Sequence, residues 1–217
     1  MIDISDIVQR VSIMAIPILL AVTFHELAHG YVADRLGDPT ARLAGRLTLN
    51  PLKHLDPIGT LVFLITRMIG WAKPVPVNPW NFKNPVKDMA LVAAAGPMTN
   101  ILIAIVSAVL YRLMVPMIGS GVGEAGDRIL IPVFLMVKMS VAINVGLAIF
   151  NAIPIPPLDG GRILAGILPR EQAEAIGKLE PYGFIILLIL IFTGVTDFLI
   201  IPVIRLIIGL LIGGRFF

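Results

Sequence analysis

Residues 25–29 read His-Glu-Leu-Ala-His, the pattern in this sequence with the clearest chemical meaning. On a helix, residues four positions apart differ by only about 40° in direction, so the imidazoles of His25 and His29 face one side. Two imidazoles on one face can bind a single metal ion, and Glu26 beside them can act as the general base on a water molecule. Two nitrogen ligands completed by an oxygen ligand favour zinc.

The alternative is a chance match on the surface of an ordinary helix. The residues on both sides of the pattern are apolar, beginning with the run from Val11 to Phe24, which predicts a helix immersed in lipid. Ionisable side chains are costly at that depth and are usually functional where they occur. The surroundings therefore favour the metal site.

A catalytic zinc usually has three protein ligands and one open position, so a third ligand is expected. The longer pattern that supplies a third histidine fails, because position 35 is Arg35. The remaining candidates are His54, Asp56, Asp88 and Asp159. Asp159 has the most suggestive context, since it lies at 151–162 among prolines that unwind a helix and glycines that permit close backbone approach. It could instead cap a helix that begins at Gly160.

The composition indicates the environment in which these residues must work. Hydrophobic residues make up 57% of the 217-residue chain and charged residues 14%, and the mean hydropathy is +0.93. Soluble domains have about 25% charged residues, so this chain has too few to cover a water-facing surface. A soluble enzyme, a disordered chain and a nucleic-acid binder are disfavoured, and an integral membrane protein is predicted. The absence of cysteine excludes thiolate ligands and nucleophiles.

Four long apolar blocks predict an all-α polytopic transmembrane helical bundle, which we expect to form a single domain over residues 1–217. The blocks span residues 7–36, 88–118, 129–153 and 182–214, and a shorter block at 57–70 fits a partly immersed helix. The fourth block is longer than the roughly 30 Å of hydrocarbon that a helix must cross. It therefore forms either two short helices with a break near Gly194 or one tilted helix kinked at Pro202.

Two connecting segments have distinct backbone preferences. Residues 71–79 contain too many prolines for a helix, which predicts a short extended or hairpin segment near residues 71–80. Residues 119–128 are rich in glycine and are predicted to form a loop.

Basic residues predict the orientation of the chain. They concentrate in residues 34–87 and 154–181, whereas Arg128 is the only one in the loop at 119–128. If the long blocks alternate in direction, the two basic segments share one side, which the positive-inside rule makes cytoplasmic. Basic cytoplasmic loops also explain the net charge of +3 and the pI of about 9.4 without an anionic partner. Acidic Asp3 and Asp6 argue against a cleavable signal peptide.

Two motifs together resemble those of the site-2 protease family of intramembrane zinc metalloproteases. They are residues 25–29 and residues 151–162, which read Asn-Ala-Ile-Pro-Ile-Pro-Pro-Leu-Asp-Gly-Gly-Arg. The resemblance extends to residues 50–57, 71–78 and 95–100, and it covers most of residues 20–165. It implies that one zinc ion is bound by His25, His29 and Asp159. It also implies that Glu26 activates water and that Asn151 steadies the oxyanion.

We expect an enzyme of a prokaryotic cell membrane, with its active site toward the cytoplasmic side as the basic segments predict. Its expected partners are a transmembrane protein substrate and the lipid bilayer, and not nucleic acid. We expect a compact core, because the spacing leaves no room for a PDZ module between the motifs or a CBS pair after them. The alternative is a non-proteolytic metal-binding protein such as a metal transporter, which would need several metal sites along a path.

Three further polar positions allow two interpretations each. His54 either contacts the substrate near the metal or hydrogen-bonds the backbone of a basic interfacial loop. Asn100 and Asn144 lie in apolar blocks, where they either line the active cavity or join helices by hydrogen bonds. The extended edge at Val75 to Asn78 could pair with an unwound substrate as an added strand.

Overall fold

The computed structural model describes residues 4–66, 70–119 and 123–213, and within these ranges the chain is helical and contains no strand. This confirms the predicted all-α class. The α-helices are α1 Ile4–Arg35, α2 Thr40–Leu43, α3 Pro57–Thr66, α4 Pro85–Gly119, α5 Glu124–Asn151, α6 Asp159–Ile167, α7 Arg170–Gly177, α8 Glu180–Phe192 and α9 Val195–Ile212. Short 3-10 turns occupy Pro51–Lys53 and Pro79–Asn81.

Four of these helices contain segments long and apolar enough to cross a membrane. The segments are Val11–Arg35, Pro85–Ile118, Gly126–Asn151 and Val195–Ile212. Helices α7 and α8 pass the same test as a pair, although they are bent by 68° at the break between them. Backbone groups in lipid must be satisfied internally, which a helix achieves. The protein is therefore a multi-pass membrane protein.

The long apolar block at 182–214 forms two helices. Helix α8 ends at Phe192 and α9 begins at Val195, and between them Gly194 has a φ of +74°, a left-handed conformation that favours glycine. Pro202 lies inside α9, so the break occurs at the glycine. The two-helix alternative is the one that the structure adopts.

The connection between α4 and α5 is shorter than predicted. Helix α4 continues to Gly119 and α5 begins at Glu124, so most of the segment 123–128 is helical instead of a loop. Residues 120–122 of the predicted loop lie outside the described part of the chain. The apolar block begins at Ile129, and α5 begins five residues earlier, at Glu124. A helix can extend beyond its apolar residues, so the start of the block did not mark the start of the helix.

Helix α4 occupies the centre of the bundle, where it packs against α1, α5 and α6. A core of small and branched side chains lies where α4 and α5 meet α9. Its buried members are Ala104, Ala108, Val141, Val145, Ile208 and Ile212. Small residues let helices in a membrane approach closely. The central position of α4 brings its backbone against the helix that carries the His-Glu-Leu-Ala-His motif.

Residues 70–78 form the predicted extended segment, but the hairpin pairing is limited to one isolated antiparallel bridge, between Leu55 and Ala72. Next to it, the Lys73 N–H donates to the carbonyl oxygen of His54 over 2.9 Å, and Arg46 donates to the Lys73 carbonyl over 2.7 Å. Prolines follow at positions 74 and 76 and cannot donate to a ladder, which explains why pairing does not continue.

Asp38 anchors the far end of the extended segment to the end of α1. Its carboxylate is fully buried and accepts hydrogen bonds from the Asn78 N–H over 2.7 Å and from the Asn81 side chain over 2.6 Å. Burial acts to raise the pKa of Asp38, but these bonds and those from Thr40 hold the pKa below its usual value. The extended segment is thus held by hydrogen bonds at both of its ends, at Lys73 and at Asn78.

Candidate metal centre

His25 and His29 project from the same side of α1, as their spacing predicts. Their Nε2 atoms lie 3.0 Å apart, and the two rings meet edge to face with centroids separated by 4.6 Å. His25 is buried and His29 is partly buried within the span Val11–Arg35. The motif therefore presents two imidazole nitrogens to one point at membrane depth.

Asp159 completes the group from a distant part of the chain. Its Oδ2 atom lies 3.2 Å from Nε2 of His25 and 3.4 Å from Nε2 of His29. The three residues each offer one ligand atom, and these atoms lie within 4.8 Å of one another. The alternative that Asp159 caps α6 is wrong: Leu158 holds the N-cap position, with no side-chain cap bond, and Asp159 is the first helical residue.

Two glycines let the chain fold back far enough to place Asp159 there. A Cβ on Gly160 would collide with the carbonyl oxygens of Ala152 and Ile153, and a Cβ on Gly161 would come within 2.6 Å of the Pro156 nitrogen. Only glycine permits so close an approach of backbone to backbone. The stretch after α5 therefore turns back tightly, and α6 starts beside α1.

The opposite ring nitrogens of the two histidines are held by helix α4. His29 Nδ1 lies 2.7 Å from the carbonyl oxygen of Val92, and His25 Nδ1 lies 2.6 Å from Oδ1 of Asn100. A carbonyl oxygen can only accept, so Nδ1 of His29 carries the proton and Nε2 of the neutral ring has a bare lone pair. Partners of this kind orient metal-binding histidines in many proteins.

The ligand atoms fit a zinc ion. Asp159 Oδ2 is buried and accepts no hydrogen bond, although it faces both Nε2 atoms. Lone pairs and a carboxylate at these separations repel one another unless a cation lies between them. Two imidazoles and one carboxylate, with a further position open to water, form the donor set of catalytic zinc sites. The predicted zinc cofactor is consistent with this group.

Gly96 provides the space for the two rings on the side of α4. A Cβ at this position would collide with Nε2 of His29 and would come within 2.6 Å of Cε1 of His25. Val92, Gly96 and Asn100 are spaced four residues apart on α4 and therefore form one face. That face supplies a carbonyl, an empty space and a side-chain oxygen to the histidine pair.

Glu26, Asn151 and the three ligands line one cavity. The volume of this cavity is about 220 Å³. The Oε2 atom of Glu26 accepts a hydrogen bond of 2.9 Å from the Val75 N–H, on the extended segment. Nδ2 of Asn151 donates to the carbonyl oxygen of Leu147 over 3.0 Å. The structure thus brings together the five residues that the sequence selected first.

The other three ligand candidates form hydrogen bonds with backbone groups close to them in sequence. Asp56 accepts from the Gly59 N–H over 2.7 Å, and Asp88 accepts from the Asn84 N–H over 2.9 Å, so each caps the first turn of a helix. His54 is fully buried, and its Nε2 lies 2.8 Å from the carbonyl oxygen of Thr48. Among the described side chains, the group of three contains none of these residues.

Asn144 lies two hydrogen bonds away from His25, through Asn100, and does not line the cavity. Its side chain is 1% exposed, and its Oδ1 accepts from Nδ2 of Asn100 over 2.8 Å. The helix-joining alternative describes its contacts, and the cavity-lining one does not. Asn100 links it to His25.

Arg162 lines the cavity although the sequence does not single it out as a site residue, and Val75, at the start of the edge expected to pair with substrate, lines it as well. Arg162 is half-exposed, and its guanidinium lies 3.4 Å from the carboxylate of Glu180. Position 162 belongs to the motif at 151–162, so a charged residue at the end of that motif was the available signal. The contact of Val75 is made by its backbone, which carries no signal of residue type.

A multi-pass helical bundle that brings two histidines and an aspartate together beside a glutamate has the features of a membrane metallopeptidase. The profile of Peptidase family M50 matches residues 13–192. The chain belongs to this family, which confirms the resemblance to the site-2 proteases.

Several curated proteins are similar to this chain. A Bacillus subtilis (strain 168) protein named "Putative zinc metalloprotease YwhC" is 39% identical over 192 residues, which cover 88% of this chain and 85% of the relative. "Putative zinc metalloprotease Rip2" of Mycolicibacterium smegmatis is 30% identical over 182 residues, covering 81% and 64%. The protein of that name from Mycobacterium tuberculosis (strain H37Rv) is 27% identical over 177 residues, covering 79% and 63%. No solved structure matches the chain significantly.

Proposed function

We propose that this protein is an intramembrane zinc endopeptidase that hydrolyses peptide bonds in or near transmembrane segments of membrane proteins. The observation that carries the proposal is the convergence of His25, His29 and Asp159 on one point inside a membrane-spanning bundle. Glu26, the residue able to act as base, lines the same cavity. The family and the relatives' names support hydrolysis of peptide bonds as the reaction.

His25, His29 and Asp159 would hold the zinc ion, each through the ligand atom that faces the other two. Zinc, when bound, supplies a Lewis acid that polarises the scissile carbonyl and lowers the pKa of a water molecule. Burial strengthens this effect, because charges interact more strongly where water is excluded. The three ligands line the cavity, which would admit the substrate.

Glu26 serves as the general base and then as the general acid. The hydrogen bond from the Val75 N–H holds its carboxylate in the cavity. There the carboxylate takes a proton from the attacking water and delivers it to the nitrogen of the leaving amine. Both transfers are completed within one side chain, so the protein needs no second titrating group for them.

Asn151 stabilises the negative charge that develops on the carbonyl oxygen. One hydrogen of its amide donates to Leu147, and an amide nitrogen has two. We assign the second hydrogen to the oxyanion, because Asn151 lines the cavity with the ligands.

The substrate must present an extended backbone, because a helix conceals its carbonyl oxygens in hydrogen bonds. The edge from Val75 to Asn78 is already extended, and its Val75 N–H contacts Glu26 directly. We propose that an unwound stretch of substrate lies along this segment as an added strand. Cleavage that is unchanged by Val77→Pro would rule out this pairing.

We place the protein in the cell membrane, with the active site toward the cytoplasm. The basic residues at 34–87 and 154–181 support this orientation through the positive-inside rule. The chain has no cysteine, so single cysteines can be introduced one at a time for labelling. Positions 40–50 and 172–178 should react with an impermeant reagent added on the cytoplasmic side. Reaction of these positions with reagent added on the outer side would show that the protein has the opposite orientation.

The proposal is tested by measuring zinc content and cleavage of a panel of single-span substrates. Glu26→Gln should retain zinc and abolish cleavage. Glu174→Gln is the matched control, since Glu174 is exposed on α7 and pairs with Arg170 outside the cavity. A metal transporter would instead keep its zinc flux in the Glu26 variant. Such a protein would need several metal sites, and the described side chains form one group of this kind.

A further inference from the structure

A chain of hydrogen bonds leads from the metal centre into the interior of the bundle. His25 Nδ1 contacts Oδ1 of Asn100 over 2.6 Å, and Nδ2 of Asn100 donates to Oδ1 of Asn144 over 2.8 Å. Asn100 is fully buried and Asn144 is 1% exposed. The positions of Asn100 and His25 are 75 residues apart in sequence, so tertiary packing alone creates the contact.

Two backbone carbonyls fix the direction of this chain. Nδ2 of Asn144 lies 2.9 Å from the carbonyl oxygen of Ser140, and Nδ2 of Asn100 lies 3.3 Å from the carbonyl oxygen of Ala21. A carbonyl only accepts, so each amide must turn its NH₂ group toward the backbone and its oxygen the other way. If either amide were reversed, two acceptor oxygens would face each other inside an apolar bundle, which is costly.

The fixed direction of the Asn100 amide determines which nitrogen of the His25 imidazole carries the proton. Because Oδ1 of Asn100 can only accept, Nδ1 of His25 must donate, and Nε2 of the neutral ring must hold a bare lone pair. That lone pair points at His29 and Asp159. We propose that Asn100 is a positioning residue that fixes the tautomer and direction of His25 for zinc binding, with Asn144 fixing Asn100 in turn. This inference rests on the proposed zinc site.

Helix packing alone does not account for the arrangement. The pair formed by Ser107 and Ser140, with Oγ atoms 2.9 Å apart, already joins α4 to α5 by a hydrogen bond without touching the histidines. Ser107 could be lost without reversing either amide, since Asn144 would still donate to the Ser140 carbonyl. Ser107 therefore offers a matched control in the same two helices.

The first test measures zinc affinity by competition with a chelator. Asn100→Ala should weaken zinc binding by about 10- to 100-fold, the usual effect of losing a partner of a ligating histidine. Asn100→Asp keeps an acceptor for Nδ1 but turns a second acceptor toward Asn144 Oδ1, so it should recover the zinc affinity only in part. Ser107→Ala should bind zinc as the wild type does. If Asn100→Ala fails to fold, Asn144→Ala takes its place, with an expected loss of about tenfold.

The second test observes the tautomer directly in zinc-free protein. The chain has three histidines, so ¹⁵N-histidine labelling gives a spectrum simple enough to assign with single His variants. At a pH where the ring is neutral, His25 should carry its proton on Nδ1 in the wild type and in Ser107→Ala. In Asn100→Ala the proton should move in part to Nε2.

The outcomes separate this inference from the proposed function. A wild type that binds no zinc would overturn the metal site itself. A wild type that binds zinc, with Asn100→Ala equal to it in affinity and tautomer, would overturn the positioning role alone. Equal losses in Asn100→Ala and Ser107→Ala would assign Asn100 to helix packing.

Discussion

The carboxylate of Glu26 accepts a hydrogen bond of 2.9 Å from the backbone N–H of Val75, 49 positions further along the chain. This bond joins the proposed base, on a membrane-spanning helix, to the extended segment on which we place the substrate. Lys73 and Asn78 hold that segment from either side through His54, Arg46 and Asp38. The position of the base therefore depends on a backbone contact as well as on the motif that contains it.

Replacing Val75 by proline removes this N–H donor. Hydrogen bonds to charged groups contribute about 1.5–3 kcal/mol, so Val75→Pro should lower cleavage on the order of 10- to 100-fold. Zinc content should stay unchanged, because none of the three ligands contacts the Val75 amide. Val75→Ala keeps the N–H and is the control. Equal rates in the two variants would show that the amide does not position Glu26.

Gly96→Ala should weaken zinc binding by tenfold or more, on the order of the effect of disturbing a ligand's surroundings. The added Cβ would collide with the imidazole of His29 and crowd that of His25. Gly146→Ala is the matched control, since a Cβ there meets nothing within 4 Å. Chelator competition on both variants measures the difference, and equal zinc affinity would mean that α4 gives way without disturbing the rings.

Asn151→Ala should lower turnover by about 10²–10³-fold, because an oxyanion donor is worth about 2.7–4 kcal/mol in the transition state. Zinc content should be retained, and Asn151→Asp should be at least as damaging, since a carboxylate repels the oxyanion. The bond from Asn151 to Leu147 offers a competing role as a local cap. Loss of a cap costs about 1 kcal/mol of stability and spares turnover. An unchanged rate per zinc-loaded molecule would show that Asn151 acts as a helix cap and not as the oxyanion donor.

Asp38 should make stability depend on pH in the acid range. Because hydrogen bonds hold its folded pKa below the unfolded value of about 3.9, its contribution is present at neutral pH. That contribution falls as the pH drops below about 3.9 and is lost once the pH passes the lower, folded pKa. Asp38→Asn should therefore cost about 1–3 kcal/mol at pH 7 and progressively less in acid.

Unfolding of the purified protein across this pH range measures the effect of Asp38. The control is Asp34→Asn, whose partner Arg42 is mostly exposed, so its effect should stay below about 1 kcal/mol. A constant difference between wild type and Asp38→Asn at every pH would show that the carboxylate is not the source of the stabilisation.

Helical periodicity was sufficient to predict the first half of the metal centre. His25 and His29 share a face because of their spacing, and Glu26 is one residue away, so local geometry determines all three. Asp159 was identified by its proline and glycine context and by the family resemblance. Its distance from the histidines depends on the close packing of Gly160 and Gly161. No local pattern encodes that packing.

The contacts that support the site could not be predicted from the sequence. Asn100 touches His25 only because α4 is rotated to place Val92, Gly96 and Asn100 against α1, and packing sets this rotation. The spacing of Gly96 and Asn100 indicated that they share one face of α4. It did not indicate that this face packs against His25. The break at Gly194 could be located, yet choosing it over Pro202 required the backbone angle.

Zinc-dependent proteolysis is decided by measuring zinc content and cleavage in the same purified sample, reconstituted in lipid with a single-span substrate. We expect about one zinc per chain, cleavage that chelation abolishes and stoichiometric zinc restores, and loss of both zinc and cleavage in Asp159→Ala. Asp56→Ala, at the rival position that caps α3, should keep both. Full zinc content in Asp159→Ala would show that Asp159 is not a zinc ligand, and cleavage that survives complete removal of zinc would show that the protein is not a zinc peptidase.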